Sequence, residues 1–424
     1  MTLLLTACTE EKKTPPAPVI HLTNKSYELE IGNSVVLSPI YENVDASTIY
    51  IWTVNEKSVG KDPSYTFSSE SAGSFTIEIA VTNEGGTTRD AIGVMGSNKC
   101  TLDYFDYSTG VYSKNIYAER NPNVVKELGD VGNDIQIYGS RLYAVVNCSN
   151  LVEVMDVSTA RHIGVVSIPN CRYIVFDSGY AYVSSYAGPV LVDPNARLGY
   201  VAKIDTATLS VVDTCVVGYQ PEEMAISNGK LFVANSGGYR VPNYDRTVSV
   251  ISLSNFKEVH KIDVAINLHR MELDDYGHIW ISSRGNYYGT PSKTYVLDAA
   301  SESVIDSIPD LPNSGMALSG DSLYVISADW SYDNHVNSVS YAIVDVKSRA
   351  VVTRSFISDG TESKIAIPYG IAVNPSTHEI FVSDAGNYVT PGTLYCFDRT
   401  GRKKWSVTTG DIPAHFAFTH TALL

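Results

Sequence analysis

The chain is poor in charge, in basic excess and in long apolar runs. Only 18% of its 424 residues are Asp, Glu, Lys or Arg. No apolar stretch approaches the ~18 residues that a membrane-crossing helix needs. The net charge is −15, which argues against a nucleic-acid coat and against electrostatic adhesion to anionic lipid. G-x-S-x-G, H-E-x-x-H and Walker patterns are missing, and "GDVGND" at Gly129–Asp134 is too loose for a phosphate loop. No CxxC occurs, and no Cys/His set stands at zinc spacing. Tyrosine, by contrast, is abundant at 28 residues. With so many alternating runs, that composition suits an all-β protein with half-exposed strands. The length leaves room for a large core and two domains.

The first residues carry a signal. "LLLTAC" (Leu3–Cys8) resembles the lipobox of bacterial lipoproteins, although the usual basic leader is missing. The resemblance implies lipidation at Cys8. It also implies that the acidic Glu10 and Glu11 direct the protein to the outer face of the outer membrane. "TEEKKTPPAP" then reads as a Pro-rich, charged tether, so residues 1–18 contribute no core. Of the other cysteines, Cys148 and Cys171 are the best-placed pair for a disulfide in an oxidising compartment; buried free thiols are the alternative.

Residues 19–96 read as one immunoglobulin-like sandwich. Alternation runs through "SYELEIG", "SVVLSPI", "IYIWTVN", "SFTIEIAVTN" and "RDAIGVMG", separated by turn residues. Trp52 sits mid-strand as a core residue. The arrangement resembles the PKD type of this fold, commonly a spacer.

From residue 97 to 424 the chain repeats. "GSRLYAVVN", "DSGYAYVSSY", "SNGKLFVANSG", "DDYGHIWISSRG", "SGDSLYVISAD" and "NPSTHEIFVSDAG" are each a turn leading into an alternating strand. A second phrase follows each, such as "VEVMDVST" or "YAIVDVKS". A short apolar strand precedes each, near Ile135, Ile174, Met224, Met271, Met316, Ile371 and, a seventh time, Phe416. One four-stranded unit per ~45 residues is the period of a β-propeller blade. The apolar strand is innermost (a), and b, c and d follow outward. Seven starts predict a seven-bladed propeller. Its last blade is closed by the N-terminal strands 101–117 and a C-terminal strand over 414–420, which removes free sheet edges.

An Asp recurs in the second phrase (Asp106, Asp156, Asp205, Asp298, Asp345, Asp398). Six copies at one structural position mark architecture rather than catalysis: an Asp there can accept backbone N–H bonds in an Asx-turn.

Strand direction puts the b–c and d–a loops on one face, the top, and the a–b and c–d turns on the other. The bottom turns are short and plain. The top b–c loops offer Asn147, Tyr186, Tyr239, Arg240, Tyr244, Arg284, Asn286, Tyr287, Tyr288, Trp330, Tyr332, His335, Asn387 and Tyr388. The d–a crossings, opening on the channel, offer Arg172, Glu222, His269, Arg270, Asn313, Tyr369 and His415. Aromatics and arginines with adaptable polar groups are the composition of a recognition surface. Cys148 and Cys171 fall on this same face. His269, His335 and His415 could meet over the channel as a metal site, but scattered single histidines more often hydrogen-bond at surfaces; the expectation is no metal and no required cofactor.

The blade phrases, with "QPEEMAIS" and "IPYGIAVN" before the b strands, resemble YncE-like and NHL-like propellers over about 325 residues. Together with the lipobox, the acidic signal and the PKD-like domain, the whole resembles the BtuG type of surface-exposed lipoprotein, which captures vitamin B12 (cobalamin). The resemblance implies a non-catalytic, lipid-anchored protein of the outer membrane. It implies cobalamin on the top face and a BtuB-like TonB-dependent transporter as partner. No short motif carries over individual contact residues. The chemistry is reasonable: Tyr and Trp can cover a corrin ring, Asn can pair with its amides and Arg can take its phosphate. Two other readings are a glycan-binding surface lipoprotein and a metal-dependent lactonase-like propeller, for which Glu222 is the only clear top-face carboxylate.

Overall fold

A computed structural model describes residues 14–30, 33–68, 73–97, 100–124, 128–332, 336–388 and 390–424. Cys8, Glu10, Glu11 and His335 lie outside the described residues. The chain divides into two compact units, Met1–Asn98 and Lys99–Leu424.

The first unit is a sandwich. Ser26–Glu30, Gly86–Ser97, Gly73–Asn83, Ile49–Val54 and Lys57–Gly60 form a five-stranded sheet in that order. Ser34–Leu37 pairs with Tyr65–Ser68, and Val19–His21 with Ile40–Glu42. Alternation sends Leu37, Trp52, Phe67, Ile77, Ile79 and Ile92 into one core. Trp52 is fully buried, and its indole N–H donates to the Asp62 carbonyl at 2.9 Å, which satisfies the one polar group that burial would strand.

The second unit is a propeller. Among the described residues six four-stranded antiparallel sheets follow one another, each ordered as in the chain. Blade one runs from Gly132 to Ser167, two from Cys171 to Val216, three from Pro221 to Asp263, four from Leu268 to Ile308, five from Gly315 to Thr353 and six from Pro368 to Asp411. The apolar residues expected at the strand a centres occupy one register: Ile135↔Ala144, Ile174↔Val183, Met224↔Val233, Met271↔Ile281, Met316↔Val325 and Ile371↔Val382. Strand b is buried on both faces, as in Lys230–Asn235, because a blade packs on both sides of it. Strand d is nearly all exposed; in Ser210–Val216 only Cys215 is buried.

The core is divided among the interfaces between neighbours. One apolar cluster joins blades one and two, and others join two to three, three to four, four to five and five to six. Two more close the ring. Phe381, Leu394 and Cys396 of blade six pack with Tyr112, Phe416 and Phe418. Leu142, Ala144 and Val146 of blade one pack with Leu102, Ile116, Tyr117 and Ala417. Seven interfaces therefore surround seven positions.

The seventh position is not a full blade. It holds the hairpin Tyr104–Asp106 with Val111–Ser113, the helical turn Ile116–Arg120 and the segment 413–419, which forms no strand. The expected strand over 414–420 is corrected accordingly. Among the described residues the two termini supply an a-like, a c-like and a d-like segment but no b strand. An a segment cannot reach c, because neighbouring strands must lie ~4.8 Å apart to pair. The segment is held instead by side chains and by Gly370, where a Cβ would meet the Ala414 carbonyl at 2.1 Å.

The repeated Asp residues make turns. Asp106, Asp156, Asp205, Asp298, Asp345 and Asp398 each accept a backbone N–H two or three residues on.

Candidate functional site

Antiparallel order places the b–c loops and the start of each a strand at one end of the propeller. Those b–c loops include 186–199, 236–246 and 284–292, whereas the a–b turns of blades one, two, three and five span only 139–140, 178–179, 228–229 and 320–321.

Five of the six innermost strands slip register near their start: between Gly132 and Asp134, Cys171 and Ile174, Pro221 and Met224, Leu268 and Met271, and Pro368 and Gly370. Residues inside these irregularities include Arg172, Tyr173, Glu222, Glu223, His269, Arg270 and Tyr369. Arg172, Glu222, His269, Arg270 and Tyr369 therefore belong to strand a, not to d–a loops. A bulge inserts unpaired residues and re-aims their side chains. Here it gathers polar groups from several blades at the channel mouth. The signal in the sequence is a polar or aromatic pair breaking the alternation, in "CRYI", "PEEM" and "LHRM".

Glu222 is the centre of this mouth. It is fully buried, and its carboxylate accepts from Arg172 at 3.4 Å, Arg284 at 3.1 Å and the Tyr186 hydroxyl at 2.5 Å. Burial alone would raise its pKa, but Arg172, Arg284 and the Tyr186 hydroxyl together hold it below its ordinary value. Arg172 also lies over the Tyr186 ring, 4.5 Å from its centroid. Beside it, Arg270 donates to Glu223 at 2.6 Å and to the Tyr173 hydroxyl at 3.3 Å. Tyr173 in turn bonds His269 Nε2 at 2.9 Å. The tautomer in which the Tyr173 hydroxyl donates to His269 Nε2 carries its ring proton on Nδ1. His269 is 7% exposed, and its Nδ1 has no hydrogen-bond partner among the described residues. A buried polar atom left without a partner costs about 1–3 kcal/mol. Burial, then the neighbouring guanidinium groups, pushes both His269 and His415 well below the ordinary histidine pKa, so both are neutral. The two rings flank Tyr173, at 6.1 and 6.3 Å between centroids.

Below the mouth, the channel holds a cavity of about 260 Å³ lined by Asp134, Glu223, Arg270, Glu272, Tyr369 and His415 among others. Gly315 and Gly370 open its far wall, in the register where blades one to four carry Asp134, Tyr173, Glu223 and Arg270. Burial, then the Glu223 charge, raises the Glu272 carboxyl to about 8. Burial chiefly raises Asp134 to about 7. Among the described residues no group of three or more His, Cys, Asp or Glu side chains could hold a metal ion.

Tyrosines of blades four, five and six form a partial rim at the mouth. Tyr287 and Tyr332 meet edge to face at 6.2 Å, Tyr288 stacks on Tyr332 at 5.1 Å and Tyr369 meets Tyr388 at 5.8 Å. Tyr288, Tyr332, Tyr369 and Tyr388 are exposed, and Tyr244 is half-buried close by. Tyr287 and Tyr388 both hold left-handed backbone, with φ of 63°. Such backbone costs a residue with a Cβ roughly 1 kcal/mol or more and concentrates at functional sites. A shared "GNY" (Gly285–Tyr287 and Gly386–Tyr388) marks both turns in the sequence.

Four expected contact residues have other roles. Arg240 covers Tyr219 at 3.5 Å and donates to the Asn243 and Pro194 carbonyls at 2.9 and 3.1 Å. It clasps loop 236–246 to loop 186–199. Asn147 is buried and donates to the Cys171 carbonyl at 3.2 Å, tying blade one to blade two. Tyr186 lies inside the Glu222 network, with Tyr239 edge to face against it at 6.3 Å. Trp330 sits in strand b of blade five, opposite Asn337, not in a loop. The Cys148–Cys171 bridge is not formed. Cys171 is buried facing the Val146 and Leu151 carbonyls, while Cys148 is exposed and its thiol donates to Asn147 Oδ1 at 3.3 Å.

Comparison with known proteins gives two family matches: a PKD-like domain over residues 15–83, and "Domain of unknown function (DUF5074)" over residues 93–421. No curated protein matches the chain. Among solved structures it is similar to a quinonprotein alcohol dehydrogenase-like protein from Bacteroides thetaiotaomicron, at 14% identity, 93% of this chain, 97% of that chain and a TM-score of 0.49. It is also similar to Kuenenia stuttgartiensis hydrazine synthase (17%, 63%, 76%, TM-score 0.48) and to the WD40 domain of Neurospora crassa Pan2 (10%, 68%, 83%, TM-score 0.48). Since the second family match spans more than half of its residues, the chain belongs to the DUF5074 family.

Proposed function

We propose that the protein is a non-catalytic, lipid-anchored outer-membrane protein of the YncE-like, BtuG-type class. In this reading it captures cobalamin on the top face and passes it to a TonB-dependent transporter. The observation that carries the proposal is the partial rim of exposed tyrosines contributed by neighbouring blades at a polar channel mouth. A corrin presents a broad apolar face, amides at its edge and one phosphate. Tyrosines give large contact area at low entropic cost and can pair with amides through their hydroxyls. Purified protein is mixed with cyanocobalamin and desalted. Retained corrin absorbance supports the reading, and colourless protein refutes it. For the anchor, Cys8→Ala releases the protein from the membrane fraction; unchanged fractionation removes that part of the proposal.

The stacked, exposed pair Tyr288–Tyr332 favours a second reading, in which a glycan lies on an aromatic platform. Titration with surface oligosaccharides, in protein that retains no corrinoid, distinguishes it.

A further inference from the structure

We propose that the channel mouth is a built subsite for one anionic group, a phosphate diester or carboxylate, of whatever the top face captures. The cobalamin reading supplies one candidate bearer of that group; the subsite itself rests on the charges at the mouth.

Three arginines converge there from blades two and four: Arg172, Arg270 and Arg284. Two carboxylates, Glu222 and Glu223, face them, and His269 and His415 are neutral. One positive charge is left over, within a protein whose total is −15. Around Glu222 the charges are sorted by depth. Its side chain is 0% exposed, whereas those of its partners Arg172 and Arg284 are 12% and 24% exposed; in the second pair Glu223, at 21%, is more open than Arg270, at 13%. A ligand arriving at the mouth therefore meets the guanidinium edges of Arg172 and Arg284 with Glu222 behind them. Guanidinium retains free N–H groups after one pairing, and its fork matches a carboxylate or phosphate. His269 adds an independent sign: its buried Nδ1, in the same cluster, has no hydrogen-bond partner among the described residues, and it is a donor in the tautomer whose Nε2 accepts from the Tyr173 hydroxyl. The carboxyls below, Asp134 and Glu272, are raised to about 7 and about 8, so near neutral pH they cancel only part of the excess.

The test uses opposite-signed variants of the full chain, titrated calorimetrically at low ionic strength with inorganic phosphate and, separately, with cyanocobalamin. Glu222→Gln is nearly isosteric and removes a negative charge; Arg284→Gln removes a positive one. A charge a few ångströms from the bound anion, partly shielded by water, is worth about tenfold in affinity. Phosphate binding is expected to tighten about tenfold in Glu222→Gln and to weaken about tenfold in Arg284→Gln. A merely structural role moves both the same way. Arg284→Lys, which keeps the charge, stays within about threefold of the parent and replaces Arg284→Gln if that variant does not fold. Opposite shifts in phosphate affinity without cyanocobalamin binding support the subsite and sink only the corrinoid reading. Undetectable phosphate binding, or shifts of the same sign, overturns the subsite even where cyanocobalamin binds.

Discussion

Arg240→Ala removes a clasp between two top-face loops. Its guanidinium stacks on Tyr219 and donates to the carbonyls of Asn243 and Pro194. A partly exposed cation–π contact is worth about 0.5–1 kcal/mol, and each hydrogen bond a further ~0.5–1.5 kcal/mol net. Shared solvation at this half-exposed site brings the expected loss to about 2 kcal/mol, borne by local opening of the loops. The blade ladders are untouched, so the melting temperature changes little. Hydrogen exchange reads the effect directly. The Asp193 amide donates to the Tyr239 carbonyl at 2.9 Å, and the Asn243 amide to Arg240 at 2.6 Å. Both are expected to lose about thirtyfold protection, and ligand affinity falls through loss of preorganisation. Unchanged exchange at Asp193 and Asn243 together with lost binding refutes the clasp and returns Arg240 to the ligand.

Three other perturbations follow from the same structure. The Glu272 carboxyl has a folded pKa near 8, above an unfolded value of about 4.3. The folded state thus binds the extra proton between those limits, and stability falls as pH rises through that window. Glu272→Gln is expected to raise thermal stability at pH 8.5 and leave pH 4 unchanged; equal gains at both pH values contradict the assignment. A chain beginning at Lys99 keeps all seven propeller clusters and should retain the parent's ligand binding. One beginning at 121 loses Leu102, Ile116 and Tyr117 from the closing cluster and should melt markedly lower, so equal melting of the two truncations disproves the closure. Tyr288→Ala with Tyr332→Ala removes the exposed stacked pair and should weaken ligand retention at least about thirtyfold, as for loss of an aromatic anchor worth ~2 kcal/mol; unaltered retention takes the rim out of the site.

What the sequence discloses depends on how locally each feature is determined. Ile174, Met224 and their equivalents are legible because each holds the same register opposite a strand b residue, so the repeat recurs at single residues. Asp156 and its five counterparts are legible because an Asx-turn closes on atoms two or three residues away. The seventh position is half legible. Phe416 keeps the repeat's spacing, yet its pairing requires a b strand that neither terminus supplies among the described residues. Arg240 and Arg172 look alike in composition and differ only in neighbours that lie far along the chain: Pro194 engages the first, and Glu222 sets the second at the channel mouth. The bulges are the deepest case. Alternation predicts that Glu222 or Glu223 must leave the channel, since successive residues of a strand face opposite ways. A register slip between Pro221 and Met224 relaxes that rule. Glu222 clamps two arginines while Glu223 pairs with a third and accepts the Met271 N–H at 2.7 Å. The charge sorting of the mouth therefore depends on the bulge, and restoring regular pairing in blade three by deleting Glu223 should release Arg270, shift blade four and abolish phosphate binding at the mouth even if Glu222 and its arginines are intact.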